Sequence, residues 1–97
     1  MYILDNYVKT PNELKRYAID YTAWLEDSET VTALELTPDD VALVVESSLI
    51  EPILQKSVSF FISGGEDDTD YLLIVKITTS SGQIKEDGIK YSVREIE

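Results

Sequence analysis

The chain has 97 residues, of which 19 are acidic and 8 basic, for a formal charge of -11, and it contains neither cysteine nor histidine. That length makes one domain with a single core. The missing residue types exclude disulfides, thiolate metal sites and thiol nucleophiles, and they remove the usual general base near neutral pH.

Only hard-oxygen metal sites stay open, and a phosphate backbone would meet net repulsion, so neither an enzyme nor a nucleic-acid partner is expected. The acidity keeps the protein soluble, or it complements a basic surface on a partner, where it acts on encounter rate and register. An apolar fraction of 43% is too high for a disordered chain.

The first residues, Met1 to Lys9, lack the long apolar core of a signal peptide. No later apolar run approaches the roughly eighteen residues of a membrane helix. A protein made in the cytoplasm, with no membrane partner, is expected. Up to Asn12 there is no clean periodicity, so residues 1–12 read as an N-terminal arm and 13–97 as the domain. Tyr2, Ile3, Leu4, Tyr7 and Val8 are many apolar residues for a free tail. Such an arm lies against its own domain or docks on a neighbouring subunit.

From Leu14 to Thr22, Tyr17, Ile19 and Tyr21 alternate with Arg16, Ala18 and Asp20, the period of a half-buried strand. Trp24 follows and reads as a core plug rather than a ligand-stacking platform. Glu26-Asp27-Ser28 turns the chain, and Thr30 to Leu36 is a second strand. It is ended by Thr37-Pro38-Asp39-Asp40, whose aspartates read as turn chemistry and not as a catalytic dyad.

Val41 to Glu46 reads as a third strand, buried on both faces or central in its sheet. A helix over Asp39 to Gln55 competes with this, but Pro52 and the Val-Val and Ser-Ser pairs count against it. Ser47 to Gln55 gives the weakest pattern, a short edge strand or a loop over the core.

Ser57 to Ser63 alternates with Val58, Phe60 and Ile62 on one face, and Gly64-Gly65 releases the backbone into a turn. Tyr71 to Thr78 puts Tyr71, Leu73, Val75 and Ile77 on one face. Thr79-Ser80-Ser81-Gly82 reads as a hairpin connection. Ile84 to Ile96 is the last strand, with Ile89, Tyr91 and Val93 inward and a polar face suited to a sheet edge. Six or seven short strands with regular turn signals predict an all-β sandwich.

Chemistry-bearing clusters are few. Glu66-Asp67-Asp68-Thr69-Asp70 is a solvated acidic turn or a weak calcium site, and its spacing lacks the alternating ligands of a helix–loop–helix calcium loop. Asp20 with Glu26, and Glu95 with Glu97, are carboxylate pairs with nothing to place them beside a pocket. No phosphate loop, nucleophile elbow or zinc spacing is present. No cofactor or metal is expected.

Three stretches carry a resemblance: Tyr17-Ala-Ile-Asp-Tyr-Thr-Ala-Trp-Leu-Glu-Asp-Ser-Glu-Thr-Val; Phe61-Ile-Ser-Gly-Gly with Asp70-Tyr71 beyond it; and Ile77-Thr-Thr-Ser-Ser-Gly with Tyr91-Ser-Val-Arg-Glu. In this order they are similar to the phage fibre-to-tail adaptors, small immunoglobulin-like β-sandwich virion proteins, over about Tyr17 to Glu95. The acidic 66–70 loop and the segment before Asn12 depart from the family pattern.

The resemblance implies a non-enzymatic virion protein made in the host cytoplasm, located in the tail or neck. It would be joined to fibres or neighbouring tail proteins in a ring of several copies. It also implies a core defined by Tyr17, Ile19, Trp24, Phe60, Tyr71 and Tyr91. Partner contacts would fall on Tyr2, Ile3, Leu4, Tyr7, Val8, Glu66, Asp67, Asp68 and one free edge strand. A capsid decoration or head-to-tail completion protein, or a carbohydrate- or protein-binding adhesion module, are the alternatives.

Overall fold

The computed structural model describes residues 2–95. Seven strands form two sheets: β1 (Tyr2–Lys9), β7 (Ile84–Val93), β6 (Thr69–Thr79) and β3 (Val31–Pro38) in that order in one, and β2 (Lys15–Asp20), β5 (Ser57–Gly64) and β4 (Leu43–Ile50) in the other. No helix forms among the described residues. Strands two, five and four opposite three, six and seven is the strand distribution of an immunoglobulin-type sandwich. The first strand lies beside the last, and that pairing is parallel.

Period two decides which side chains meet between the sheets. On β5, Val58, Phe60 and Ile62 are buried; on β6, Tyr71, Leu73, Val75 and Ile77; on β7, Asp87, Ile89, Tyr91 and Val93. The largest buried cluster gathers Tyr17, Leu43, Phe60, Tyr71, Leu73 and Tyr91 with their neighbours. A second, at the other end, holds Tyr21, Leu25, Val31, Val58 and Ile77, and Ile19 packs against both. Tyr17 ties the aromatic centre together, with its ring 4.6 Å from Tyr7, 5.1 Å edge-on from Tyr91 and 6.2 Å from Phe60.

Four expectations are corrected. The segment read as an arm is β1, an edge strand of the larger sheet, paired from Tyr2↔Asp87 to Lys9↔Val93. An irregularity between Ile3 and Asp5 breaks its alternation, which is why no period showed in the sequence. Because β1 takes that edge, β7 is an interior strand and not an edge.

Likewise β4, expected central or buried on both faces, is an edge strand beside β5 alone, with Val44 exposed and a bulge between Val45 and Ser47. Ser47 to Ile50 belongs to it.

Trp24 is not a core plug: it is 38% exposed. The chain turns tightly after Asp20, with Trp24 and Leu25 both donating their N–H to Tyr21 O at 2.9 Å. This buries Tyr21 and Leu25 while Trp24 lies outside, 5.4 Å from the Lys85 ammonium. Lys85 in turn pairs with the buried Asp87 at 3.3 Å, so Trp24 covers an ion pair rather than filling the core.

Candidate functional site

Antiparallel crossing places the connections at two ends of the sandwich. At one end meet the 10–14, 39–42 and 65–68 segments, sewn together by Gly65 N–H to Ala42 O at 2.7 Å, Asp68 N–H to Val93 O at 2.8 Å and Arg94 N–H to Lys9 O at 2.9 Å. Lys9, only 1% exposed, threads its stem inward and donates from Nζ to Thr10 O and Gly64 O, each at 2.6 Å. Burial lowers its pKa, and the charge of Glu13 offsets part of that.

The acidic loop at this end is ordered by its own chain. Glu66 N–H donates to the Tyr71 hydroxyl at 2.9 Å, Asp67 Oδ1 accepts from Glu95 N–H at 2.7 Å, and Arg94 lies 3.6 Å from Asp68 and 2.9 Å from Asp70. The Ser92 hydroxyl, then Arg94, hold the Asp70 carboxyl below the usual carboxylate range. Glu66, Asp67 and Asp68 remain exposed. The Asp67 carboxylate serves as a strand-end acceptor and that of Asp68 pairs with Arg94, and no group of three acids among the described residues is arranged to hold a metal ion.

At the opposite end the 21–30, 51–56 and 80–83 segments meet. Glu29 is buried there: its carboxylate accepts from Thr79 Oγ1 at 2.5 Å, from the Ser81 hydroxyl and from Glu26 N–H at 3.2 Å. The Ser81 and Thr79 hydroxyls hold its pKa down. Lys56 Nζ donates to Asp27 O at 2.8 Å and Glu26 O at 3.4 Å. The Asp20 carboxylate is occupied by the Thr22 N–H at 2.9 Å and hydroxyl at 2.6 Å, so it acts as a turn acceptor. The Glu95–Glu97 pair lies partly outside the described residues.

Four of the five apolar residues of the N-terminal segment divide by face. Leu4 and Tyr7 are half-buried and pack on the main core cluster, which fastens β1 to its own domain. Ile3 and Val8 point outward, Val8 being 68% exposed. Tyr2 begins β1 in register with Asp87. Of the six core residues expected, Tyr17, Phe60, Tyr71 and Tyr91 are buried together, Ile19 is half-buried beside them, and Trp24 is outside.

Sequence reasoning missed Lys9, Glu29 and Glu51. The Glu51 carboxylate accepts the N–H groups of Ile53, Leu54 and Gln55. The order Glu51-Pro52 was its signal, an acid just before a turn-forming proline and free amides.

No curated protein matches the chain. Among solved structures, a Photobacterium sp. JT-ISH-224 2,6-sialyltransferase is similar at 11% identity with a TM-score of 0.55. The match covers 95% of this chain and 17% of that enzyme. At that identity the likeness is one of fold alone, a sandwich within a much longer protein. A family model described as Podophage GP4 fiber-tail adaptor protein gp77 matches residues 9–91, from the buried Lys9 through Tyr91 of β7. With six strands inside that match, five of them whole, the chain belongs to the podophage GP4 fiber-tail adaptor family.

Proposed function

We propose that this protein is a non-enzymatic virion component of the phage tail or neck, a single sandwich held between larger proteins and joining the tail to fibres or neighbouring tail proteins. The family match over residues 9–91 carries this reading. A β-sandwich suits the role because its loops and edges vary without disturbing the core. Several copies stand in a symmetric ring. Contacts come from Ile3, Val8 and Tyr2 along the outer edge strand, and from Glu66, Asp67 and Asp68, whose charge steers a basic partner surface into register. Leu4 and Tyr7 contribute by holding β1 in place. The charge of -11 supports partners that are proteins and not nucleic acid.

Quantitative mass spectrometry of purified particles, counting this chain against the major capsid protein, tests the reading. A low count compatible with one tail ring supports it. A count approaching that of the capsid protein would replace it with capsid decoration, and absence from the particle overturns it.

A further inference from the structure

The turn between β4 and β5 holds two bulky aliphatic side chains away from the molecule. Ile53 is 84% exposed and Leu54 68%. Neither sits on a loose loop. The Glu51 carboxylate accepts N–H bonds from Ile53 at 2.9 Å, Leu54 at 2.8 Å and Gln55 at 3.2 Å, and Gln55 turns the chain back at φ 57°. The same backbone amides hold the Glu51 carboxyl below the usual carboxylate range.

The base of the turn is fixed by Glu51 N–H to Ser57 O at 2.9 Å, Val31 N–H to Gln55 O at 2.7 Å and Tyr21 N–H to Lys56 O at 2.9 Å. Leu49, on the free edge strand β4 that leads into the turn, is also exposed. Exposed aliphatic side chains add nothing to folding. Fixing them in advance removes the ordering cost that a partner would otherwise have to overcome.

The surroundings select the partner. Glu51 itself, and Glu26 and Asp27 on the neighbouring loop, are acidic, while Lys56, next to the turn, is directed onto the carbonyls of Glu26 and Asp27. A second copy of a chain carrying -11 would set the same acids against these.

The geometry points to Ile53 and Leu54 as a preformed plug that seats in an apolar cleft, rimmed by lysine or arginine, on a different virion protein. This inference rests on the adaptor reading and adds a second docking surface, at the end of the sandwich away from the acidic loop.

The test is photocrosslinking in assembled particles, with p-benzoylphenylalanine in place of Ile53 and, as a control, in place of Lys76 on the outer face of the larger sheet. Alongside it, particles are made with Ile53→Asp/Leu54→Asp. The expected result is a crosslink from position 53, and not from 76, into a Lys/Arg-bearing segment of another virion protein. Copies of the double variant per particle should fall about tenfold or more. Its isolated domain should melt as the parent does.

A crosslink to a second copy of this chain overturns the inference. So does the lack of any crosslink from 53 in particles that contain the chain. Both of those outcomes leave the adaptor reading standing; absence of the chain from unmodified particles overturns the two together.

Discussion

At the scale of single residues, the acidic end depends on Lys9. Its ammonium supplies the carbonyls of Thr10 and Gly64, so it joins the end of β1 to the β5–β6 turn from inside the protein. Lys9→Met keeps most of the stem packing but leaves both carbonyls without that donor. The expected cost is about 1–3 kcal/mol, measured by urea denaturation. Gly64, next to it, has φ +77° and an added Cβ would lie 2.5 Å from Ala42 O, a backbone atom that cannot swing aside. Gly82 has a similar φ of +88° with nothing within 4 Å of an added Cβ. Gly64→Ala should therefore cost about 2 kcal/mol or more, and Gly82→Ala only about 1 kcal/mol of backbone strain. Equal costs in urea denaturation would show that the Ala42 carbonyl yields freely and the contact is unimportant.

Among the elements, β1 is the one whose role differs most from its appearance in the sequence. It contributes Leu4 and Tyr7 to the core and covers the edge of β7 from Asp87 to Val93. A chain beginning at Lys9 should lose about 2–4 kcal/mol, the burial of two half-covered side chains. It should also self-associate in sedimentation as β7 becomes a bare edge. A monodisperse truncated chain with an unchanged urea midpoint would show that β1 merely decorates the sheet.

The hairpin of β6 and β7 and the spans of β2 and β5 were legible because inward and outward residues alternate along each, as in Tyr71, Leu73, Val75 and Ile77. β3 was legible from its β-branched and leucine content despite an irregularity after Val31. What stayed hidden has three physical sources. A parallel pairing with the far end of the chain leaves no local signal in residues 2–9. Bulges near Leu4 and Glu46 break the period on β1 and β4, so an apolar run on an edge looks like a central strand. Trp24 misleads because its size suggests burial, while the turn at Tyr21 decides its direction. The exposed acids of the 66–70 loop were legible as a turn; the Glu51 cap, which depends on three consecutive amides converging on one carboxylate, was not.

For the molecule as a whole, the absence of histidine and cysteine divides its titration into two separate regions. On the acid side, Glu29, Glu51, Asp20 and Asp70 all have lowered pKa values, from hydroxyl, backbone and arginine partners. A carboxyl lowered by folding contributes stability that is present above its unfolded value, about 4 to 4.5, and lost as pH falls through its folded one.

On the alkaline side, burial first of all raises the phenols of Tyr17, Tyr21 and Tyr91, with neighbouring charges adding to it. Their contribution is complete below about pH 10 and is lost above it, as the unfolded chain ionises more readily than the folded one. Lys9 runs the other way. Lowered by burial, it binds its proton more weakly in the folded state, so stability rises as pH climbs through its folded pKa towards about 10.4.

The melting temperature at constant ionic strength should therefore be flat between about pH 6 and 8, fall steeply below about pH 4, and rise slightly before a steep fall above about pH 10. The phenolate absorbance should appear together with that last unfolding step. In Lys9→Met the small alkaline rise should vanish while the acid limb is unchanged. If the rise persists, the lysine that links β1 to the β5–β6 turn is not its source. If phenolate appears before unfolding, the tyrosines at the centre of the sandwich are less closed to water than their packing requires.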